Sequence, residues 1–229
     1  MKNDKSNFLL EHEAYELLKG EGIPVPPHRL AKTEEEAKKQ ALELGFPLVM
    51  KVVSPHVIHK SDFRAVKVGL NSVEEVSEAY REIERNVLSV APQSEIVGML
   101  LMPQFKQGLE VIVGGIRDAQ FGPAIMFGLG GIFVELLRDV SFRVAPISGE
   151  EAMKMITEIK GYPLLTGFRG EEPFDVQALA EFLSRISEVM SERREIEEMD
   201  LNPVFLFKKG LVVADARIKV RSKSTKGGS

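Results

Sequence analysis

The stretch PLVMKVVSPHVIHKSDFRAVKVGL, residues 47–70, sets the architecture of the first half of the chain. Two apolar runs of strand length, residues 47–53 and 65–70, flank a polar loop that contains a proline and two histidines. Apolar runs that are bounded by turn residues predict two consecutive strands. Because one strand follows another without an intervening helix, the alternating βαβ order of a Rossmann sheet is absent.

Helical patterns lie on both sides of this strand pair. Residues 8–19 carry apolar side chains at helical spacing before a stretch rich in glycine and proline. Two capping boxes, Thr33 with Glu36 and Ser72 with Glu75, predict the starts of two further helices.

The second half of the chain is predicted to contain mainly strands, followed by helices and a closing hairpin. We expect an α+β protein of two lobes with a break near residues 91–94, because strands and helices are grouped rather than alternating. The predicted lobes are residues 1–94 and 95–220, and the polar residues 221–229 are expected to form a disordered tail. The predicted elements are strands at 95–102, 109–116 and 123–128, helices after Ser148 and Asp175, and a hairpin over 202–217.

Composition excludes several classes of protein. The 229 residues are 44% hydrophobic with a net charge of −4, so nothing favours a nucleic-acid partner. No apolar run approaches the roughly 20 residues of a membrane helix, and the absence of cysteine excludes thiolate chemistry. We therefore expect a cytoplasmic protein without a membrane partner.

Two charged residues interrupt apolar strands. Lys51 stands inside LVMKVV, and Glu110 begins EVIVGG. A buried charge is costly unless it is paired, so both residues are candidates to contact a polar ligand. The alternatives are an edge-strand lysine that reaches water and a carboxylate at a strand end.

The hairpin near the C-terminus carries a candidate metal site. Asp200, Asn202 and Asp215 offer oxygen ligands, and pairing about residues 209–210 puts Asn202 and Asp215 within a residue or two of opposite each other. Such ligands suit Mg²⁺, which keeps several waters and takes other ligands from phosphates. The alternative is that Asp-x-Asn-Pro merely opens a turn.

The histidine loop and a glycine-rich segment are further candidates. His56 and His59 have no third ligand nearby that would favour zinc, whereas a neutral imidazole at His59 is a candidate nucleophile for a phosphoryl group. Glycines in residues 127–131 can form an anion cradle or a tight strand bend. For the charged residues that follow, the alternatives are a solvated face and a part of the candidate site, which their density between apolar stretches suggests: Glu135, Arg138, Asp139 and Arg143.

Four stretches together resemble one family. They are GIPVP, GFPLVMKVVSP with IHKSD, the continuous run over residues 108–147, and MDLNPV with VADAR. They are similar to the β subunit of ADP-forming acetyl-CoA synthetase, an ATP-grasp protein related to the succinyl-CoA synthetase β subunit. The resemblance implies an ATP-grasp fold of two α+β lobes with the nucleotide in the cleft between them.

The resemblance also implies roles for individual residues. His59 matches the histidine that is transiently phosphorylated, Lys51 lies over the nucleotide phosphates, and Glu110 holds the nucleotide. Asn202 and Asp215 bind Mg²⁺, with Asp200 beside them. The adenine is met by a hinge segment that consists of Met102, Pro103, Gln104 and Phe105.

The implied partner is an α subunit with the CoA site and its own phosphohistidine, in an α2β2 heterotetramer. Together they would make ATP from acyl-CoA, ADP and phosphate. Two alternatives are another ATP-grasp ligase subunit, of the succinyl-CoA synthetase type, and a non-catalytic nucleotide-sensing module. One departure stands out, because Arg64 and Ala65 replace two glycines of the family pattern. Either Arg64 supplies charge in place of the glycine amides, or this turn has moved off the phosphates.

Overall fold

The computed structural model describes residues 7–57, 60, 63–105, 108–131, 138–167 and 170–221. His59 and Glu135 lie outside the described residues, as does the tail beyond Arg221. The chain forms two compact units. The small unit comprises Leu10–Glu13 and Pro26–Lys106, and the large unit comprises Met1–Leu9, Ala14–Val25 and Gln107–Ser229.

The small unit is an antiparallel four-stranded sheet with two helices, α2 and α3, on one face. The strand order is β1-β4-β2-β3, so β2 is an inner strand. The elements are β1 (Arg29–Ala31), α2 (Glu34–Leu44), β2 (Leu48–Val53), β3 (Val66–Leu70), α3 (Val73–Val90) and β4 (Gly98–Pro103).

Both predicted capping boxes begin helices of this unit. The Thr33 hydroxyl accepts a hydrogen bond from the Glu36 amide at 3.2 Å, and the Ser72 hydroxyl accepts one from the Glu75 amide at 3.2 Å. Each bond gives a partner to a backbone amide of the first helical turn, where amides have no carbonyl acceptor within the helix. Local sequence therefore determines where α2 and α3 start.

The pleat of β2 separates core residues from a functional candidate. Leu48, Met50 and Val52 point toward the helices and join the buried core of this unit. Lys51 therefore faces the opposite side of the sheet. It is nevertheless buried, with 5% of its surface exposed.

The small unit extends further than the break expected near residues 91–94. β4 pairs with β1 on one side and with β2 on the other, so its residues complete the first sheet. The proline-containing turn before β4 connects α3 to its own sheet and does not separate the two units.

The large unit is built on an antiparallel sheet of order β10-β8-β5-β6-β7, with β9 paired to β8. Helices α4 and α6 cover one face. The strands are β5 (Leu109–Asp118), β6 (Gly122–Leu129), β7 (Val140–Val144), β8 (Ile196–Leu206), β9 (Leu211–Val213) and β10 (Ala216–Val220). The helices are α4 (Gly149–Thr157), α5 (Tyr162–Leu165) and α6 (Val176–Glu192), whereas α1 (Glu11–Gly20) begins in the small unit and ends in the large one.

The helix-facing side of this sheet is close-packed. Val113 and Phe127 are fully buried there, and a Cβ added to Gly115 would lie 2.9 Å from the sulfur of Met190. Gly115 therefore permits α6 to approach β5.

No helix of the described residues is long and apolar enough to cross a membrane.

Candidate functional site

Lys51 lies in a buried cluster of three charges within the small unit. Its Nζ is 2.8 Å from Oε1 of Glu11, and the Nζ of Lys60 is 2.8 Å from Oε2 of the same carboxylate. The side chain of Glu11 is only 3% exposed. Because β2 is an inner strand and Lys51 is ion-paired, the alternative of an edge-strand lysine that reaches water is wrong.

The two ammonium groups keep Glu11 ionised in spite of its burial. Burial by itself raises the pKa of a carboxyl group, but the attraction of Lys51 and Lys60 outweighs it and lowers the Glu11 pKa to about 2. The sequence did not indicate a functional role for Glu11, because acidic residues are common in the first turn of a helix. Its partners are distant in sequence, and only the fold brings them to it.

One departure from the family pattern, at Arg64, lies in the turn between Lys60 and β3. Arg64 is exposed and has a left-handed φ of 48°, a conformation that favours glycine. The Ala65 amide donates to the Lys60 carbonyl at 2.9 Å, and the Ala65 carbonyl accepts from Val52. Arg64 therefore adopts a backbone conformation suited to glycine, the residue of the family pattern at this position.

The predicted hinge segment contains an unsatisfied polar atom. The amide of Gln104 donates to the Pro47 carbonyl at 2.9 Å, which ties the segment to the start of β2. The side-chain Oε1 of Gln104 is buried and has no hydrogen-bond partner within the described ranges. Since buried polar atoms are nearly always paired, such an acceptor is available to a ligand.

In the large unit, Glu110 lies beside the glycine segment. Glu110 is exposed at the start of β5, and its carbonyl accepts a hydrogen bond from the Gly130 amide at 2.7 Å. A Cβ on Gly130 would lie 3.0 Å from the Glu110 Cβ, and one on Gly128 would lie 2.8 Å from the Asp139 carbonyl oxygen. Close strand packing thus accounts for these two glycines, which favours the strand-bend alternative.

The alternative of a solvated face after the glycines is wrong for Asp139. Its carboxylate is largely buried and accepts hydrogen bonds from the Lys160 and Gly161 amides at 2.8 and 2.7 Å. Arg143 lies on β7 and pairs with Glu151 and Glu158. These charges stabilise the packing of the segment before α5 and of α4.

The predicted metal residues lie together at the root of the hairpin. The Asn202 amide donates to the Asp215 carbonyl at 3.2 Å, which confirms that the two residues are opposite each other. Asp200 on β8 lies opposite Arg217 on β10 in the register of the two strands. By the alternation of β8, Asp200 and Asn202 share the sheet face opposite the buried Met199 and Leu201.

The electrostatics of the hairpin suit a cation. Burial raises the pKa of Asp200, Arg217 opposes this rise, and the negative charges of Asp215 and Glu198 add to it. A divalent ion would relieve this repulsion. Within the described part of the chain, no group of three or more His, Cys, Asp and Glu side chains is placed to hold a metal. A metal site at the hairpin would therefore use the side-chain amide oxygen of Asn202 together with non-protein ligands, as Mg²⁺ commonly does.

Fold and site define the chain as an ATP-grasp domain, and the ATP-grasp domain family matches residues 1–220. The chain is 51% identical over 210 residues to the acetate–CoA ligase [ADP-forming] I subunit β of Pyrococcus furiosus, covering 92% of this chain and 90% of that one. It thus belongs to the β subunits of ADP-forming acetate–CoA ligases.

Solved structures agree with this assignment. A dinucleotide-forming acetyl-coenzyme A synthetase 1 of Ca. Korarchaeum cryptofilum, in complex with coenzyme A and Ca-AMPCP, superposes with a TM-score of 0.91 at 55% identity, covering 96% of this chain and 95% of that one. A second structure of that enzyme carries Mg-AMPPCP, and its phosphohistidine segment points towards the nucleotide binding site. It superposes with a TM-score of 0.82 at 52% identity, covering 94% and 93% of the two chains.

Proposed function

We propose that this chain passes a phosphoryl group from a partner α subunit through His59 to ADP. The overall reaction is acyl-CoA, ADP and phosphate giving carboxylic acid, CoA and ATP. The observation that carries the proposal is the buried, ion-paired Lys51 on the sheet face away from α2 and α3. Lys51 and Lys60 bring two ammonium groups to one carboxylate, so this buried cluster keeps a net positive charge that the binding of an anion such as a nucleotide phosphate would neutralise.

The proposed chemistry at His59 is a two-step transfer. Its neutral imidazole nitrogen attacks the phosphorus of the α subunit's phosphohistidine, so that one P–N bond forms as the other breaks. A terminal oxygen of ADP then attacks the phosphorus on His59, which forms ATP and restores the imidazole. Such a transfer needs mainly positioning and charge neutralisation, and Lys51 provides part of the latter.

Binding of the adenine is assigned to the segment Met102–Phe105. The buried Oε1 of Gln104, which has no hydrogen-bond partner among the described residues, supports this proposal, since the amino group of adenine can donate to a buried acceptor. Glu110 is also assigned to the nucleotide, and its exposed carboxylate lies at the start of β5.

We assign Mg²⁺ to Asn202 and Asp215, with Asp200 adjacent. The mutual repulsion of Asp200, Asp215 and Glu198 supports a cation there. When bound, the ion would supply positive charge to the phosphates. The carboxylate and amide oxygens of the hairpin would hold and orient it.

The partner is the α subunit, and an α2β2 heterotetramer is the proposed assembly. The support is an apolar patch on the sheet face of the large unit that α4 and α6 leave uncovered. Ile116, Phe142 and Val144 are each more than half exposed, and Ile116 and Val144 both flank Ala124 in the sheet. Contiguous exposed apolar surface of this kind is typical of protein contacts.

A cytoplasmic location stays a prediction.

Phosphorylation of His59 is the test of the relay. The complex of this chain with its α subunit is incubated with acyl-CoA and labelled phosphate, and we expect an acid-labile, base-stable label on this chain. His59→Asn should lose that label and ATP synthesis, but it should still bind ADP. His56→Asn is the matched control and should keep both activities. If ADP binds while His59 is never labelled, the chain is a nucleotide sensor and the proposed relay is wrong.

A further inference from the structure

A single buried carboxylate is shared by two lysines with separate assignments. Lys51 belongs to β2 and is proposed to meet the nucleotide phosphates, whereas Lys60 neighbours His59 in the chain. Both ammonium groups lie 2.8 Å from Glu11, each on its own oxygen. The side chains of Lys51 and Lys60 are 7% and 16% exposed, so water screens these attractions weakly.

This arrangement makes the two ion pairs interdependent. With both lysines present, Lys60 offsets part of the negative charge that holds Lys51. If Lys60 is removed, this charge is no longer offset and Glu11 holds Lys51 more firmly. A phosphate that approaches Lys51 must then compete with a stronger internal partner.

We propose that Glu11 is a positioning residue that couples Lys51 to Lys60 and thereby sets the affinity for nucleotide phosphates. Lys60 makes Lys51 available by occupying one oxygen of Glu11. By linkage the effect is reciprocal, so phosphate bound at Lys51 strengthens the pair between Glu11 and Lys60. The inference rests on the proposed function, because it assumes that Lys51 meets the phosphates.

The test is a double-mutant cycle on ADP affinity, measured by calorimetry on the complex with the α subunit. Lys60→Met alone should weaken ADP binding on the order of fivefold, the lower end of typical coupling between sites. In a Glu11→Gln background, Lys60→Met should change the affinity by less than about twofold, because no carboxylate remains to be shared. An equal loss in both backgrounds would overturn the proposal, since Lys60 would then act without Glu11.

A second cycle covers the case in which Glu11→Gln does not fold. In a Lys51→Met background, Lys60→Met should leave ADP affinity unchanged, because the lysine through which it acts is gone. A loss that persists in this background also overturns the proposal. Glu13→Gln is the matched control, as Glu13 is exposed in the same helical turn and accepts a hydrogen bond from the Leu10 amide at 2.8 Å. It should leave ADP affinity unchanged.

Lys51→Met alone separates this inference from the function on which it rests. If Lys51→Met does not weaken ADP binding, Lys51 is not the phosphate lysine and its assignment under the proposed function fails. If Lys51→Met weakens binding but both cycles are additive, the nucleotide assignment stands and the coupling through Glu11 is wrong.

Discussion

At the scale of single residues, burial decides what each charge does. Lys51, Glu11 and Asp139 are all buried and all paired, but with different partners. Asp139 accepts hydrogen bonds from two backbone amides and stabilises the fold. Lys51 and Glu11 pair with each other, and a charged ligand can exchange with a partner of that kind, which is why function is assigned to them.

The depressed pKa of Glu11 predicts how stability depends on pH. Its folded pKa of about 2 lies below the ordinary value of 4.5, so its contribution is fully present above 4.5 and is lost as the pH falls toward 2. This difference corresponds to about 3 kcal/mol of unfolding free energy. Urea unfolding of wild type and Glu11→Gln should show a constant gap above about pH 5 that narrows below it.

Glu13→Gln again serves as the control, since Glu13 is exposed and should show only a small effect at any pH. A gap between wild type and Glu11→Gln that keeps its size from pH 6 to pH 3 would contradict the assignment of an ionised, doubly paired Glu11.

At the scale of elements, local sequence predicted the longer helices but not the short α5, nor every strand or contact. The capping boxes predicted α2 and α3, because both members of each box lie within one turn. β7 was missed although its sequence VSFRV alternates apolar and polar residues, because five residues directly after a charged segment are a short signal for a strand. The contact of Glu11 with Lys51 depends on the tertiary fold, so no local pattern reports it.

The turn before β3 yields a prediction about strain. Arg64 adopts a left-handed φ of 48°, which favours glycine. We expect Arg64→Gly to raise the free energy of unfolding by roughly 1 kcal/mol, because it removes the steric cost of a Cβ in this conformation. Chemical unfolding measures the change.

Arg85→Gly is the matched control for this prediction. Arg85 is also exposed, but it lies inside α3, where glycine should cost roughly 1 kcal/mol. If Arg64→Gly destabilises the chain as Arg85→Gly does, the side chain of Arg64 makes a favourable interaction that outweighs the backbone strain.

At the scale of the whole molecule, the large unit presents different surfaces on one sheet face. Asp200 and Asn202 lie on the same face as Ile116, since Gly114 pairs with Asp200 and Ile116 with Glu198. The proposed metal residues and the apolar patch are thus parts of one continuous surface. A partner seated on the patch would lie beside the hairpin that is assigned to the metal, which suits the proposed delivery of a phosphoryl group by the α subunit.

The patch therefore predicts where the α subunit binds. Replacing Phe142 by serine removes an apolar side chain that is 61% exposed, so folding should change little while the loss of buried apolar area weakens the complex. We expect the dissociation constant for the α subunit, measured by analytical ultracentrifugation, to rise by about fivefold or more, because truncating an aromatic anchor at the centre of an interface costs more than about 1 kcal/mol. Leu42→Ser is the control, since Leu42 is 66% exposed on α2 of the small unit, outside the patch. If Phe142→Ser binds the α subunit as tightly as wild type while Leu42→Ser does not, the partner contacts the small unit and the assignment of the patch is wrong.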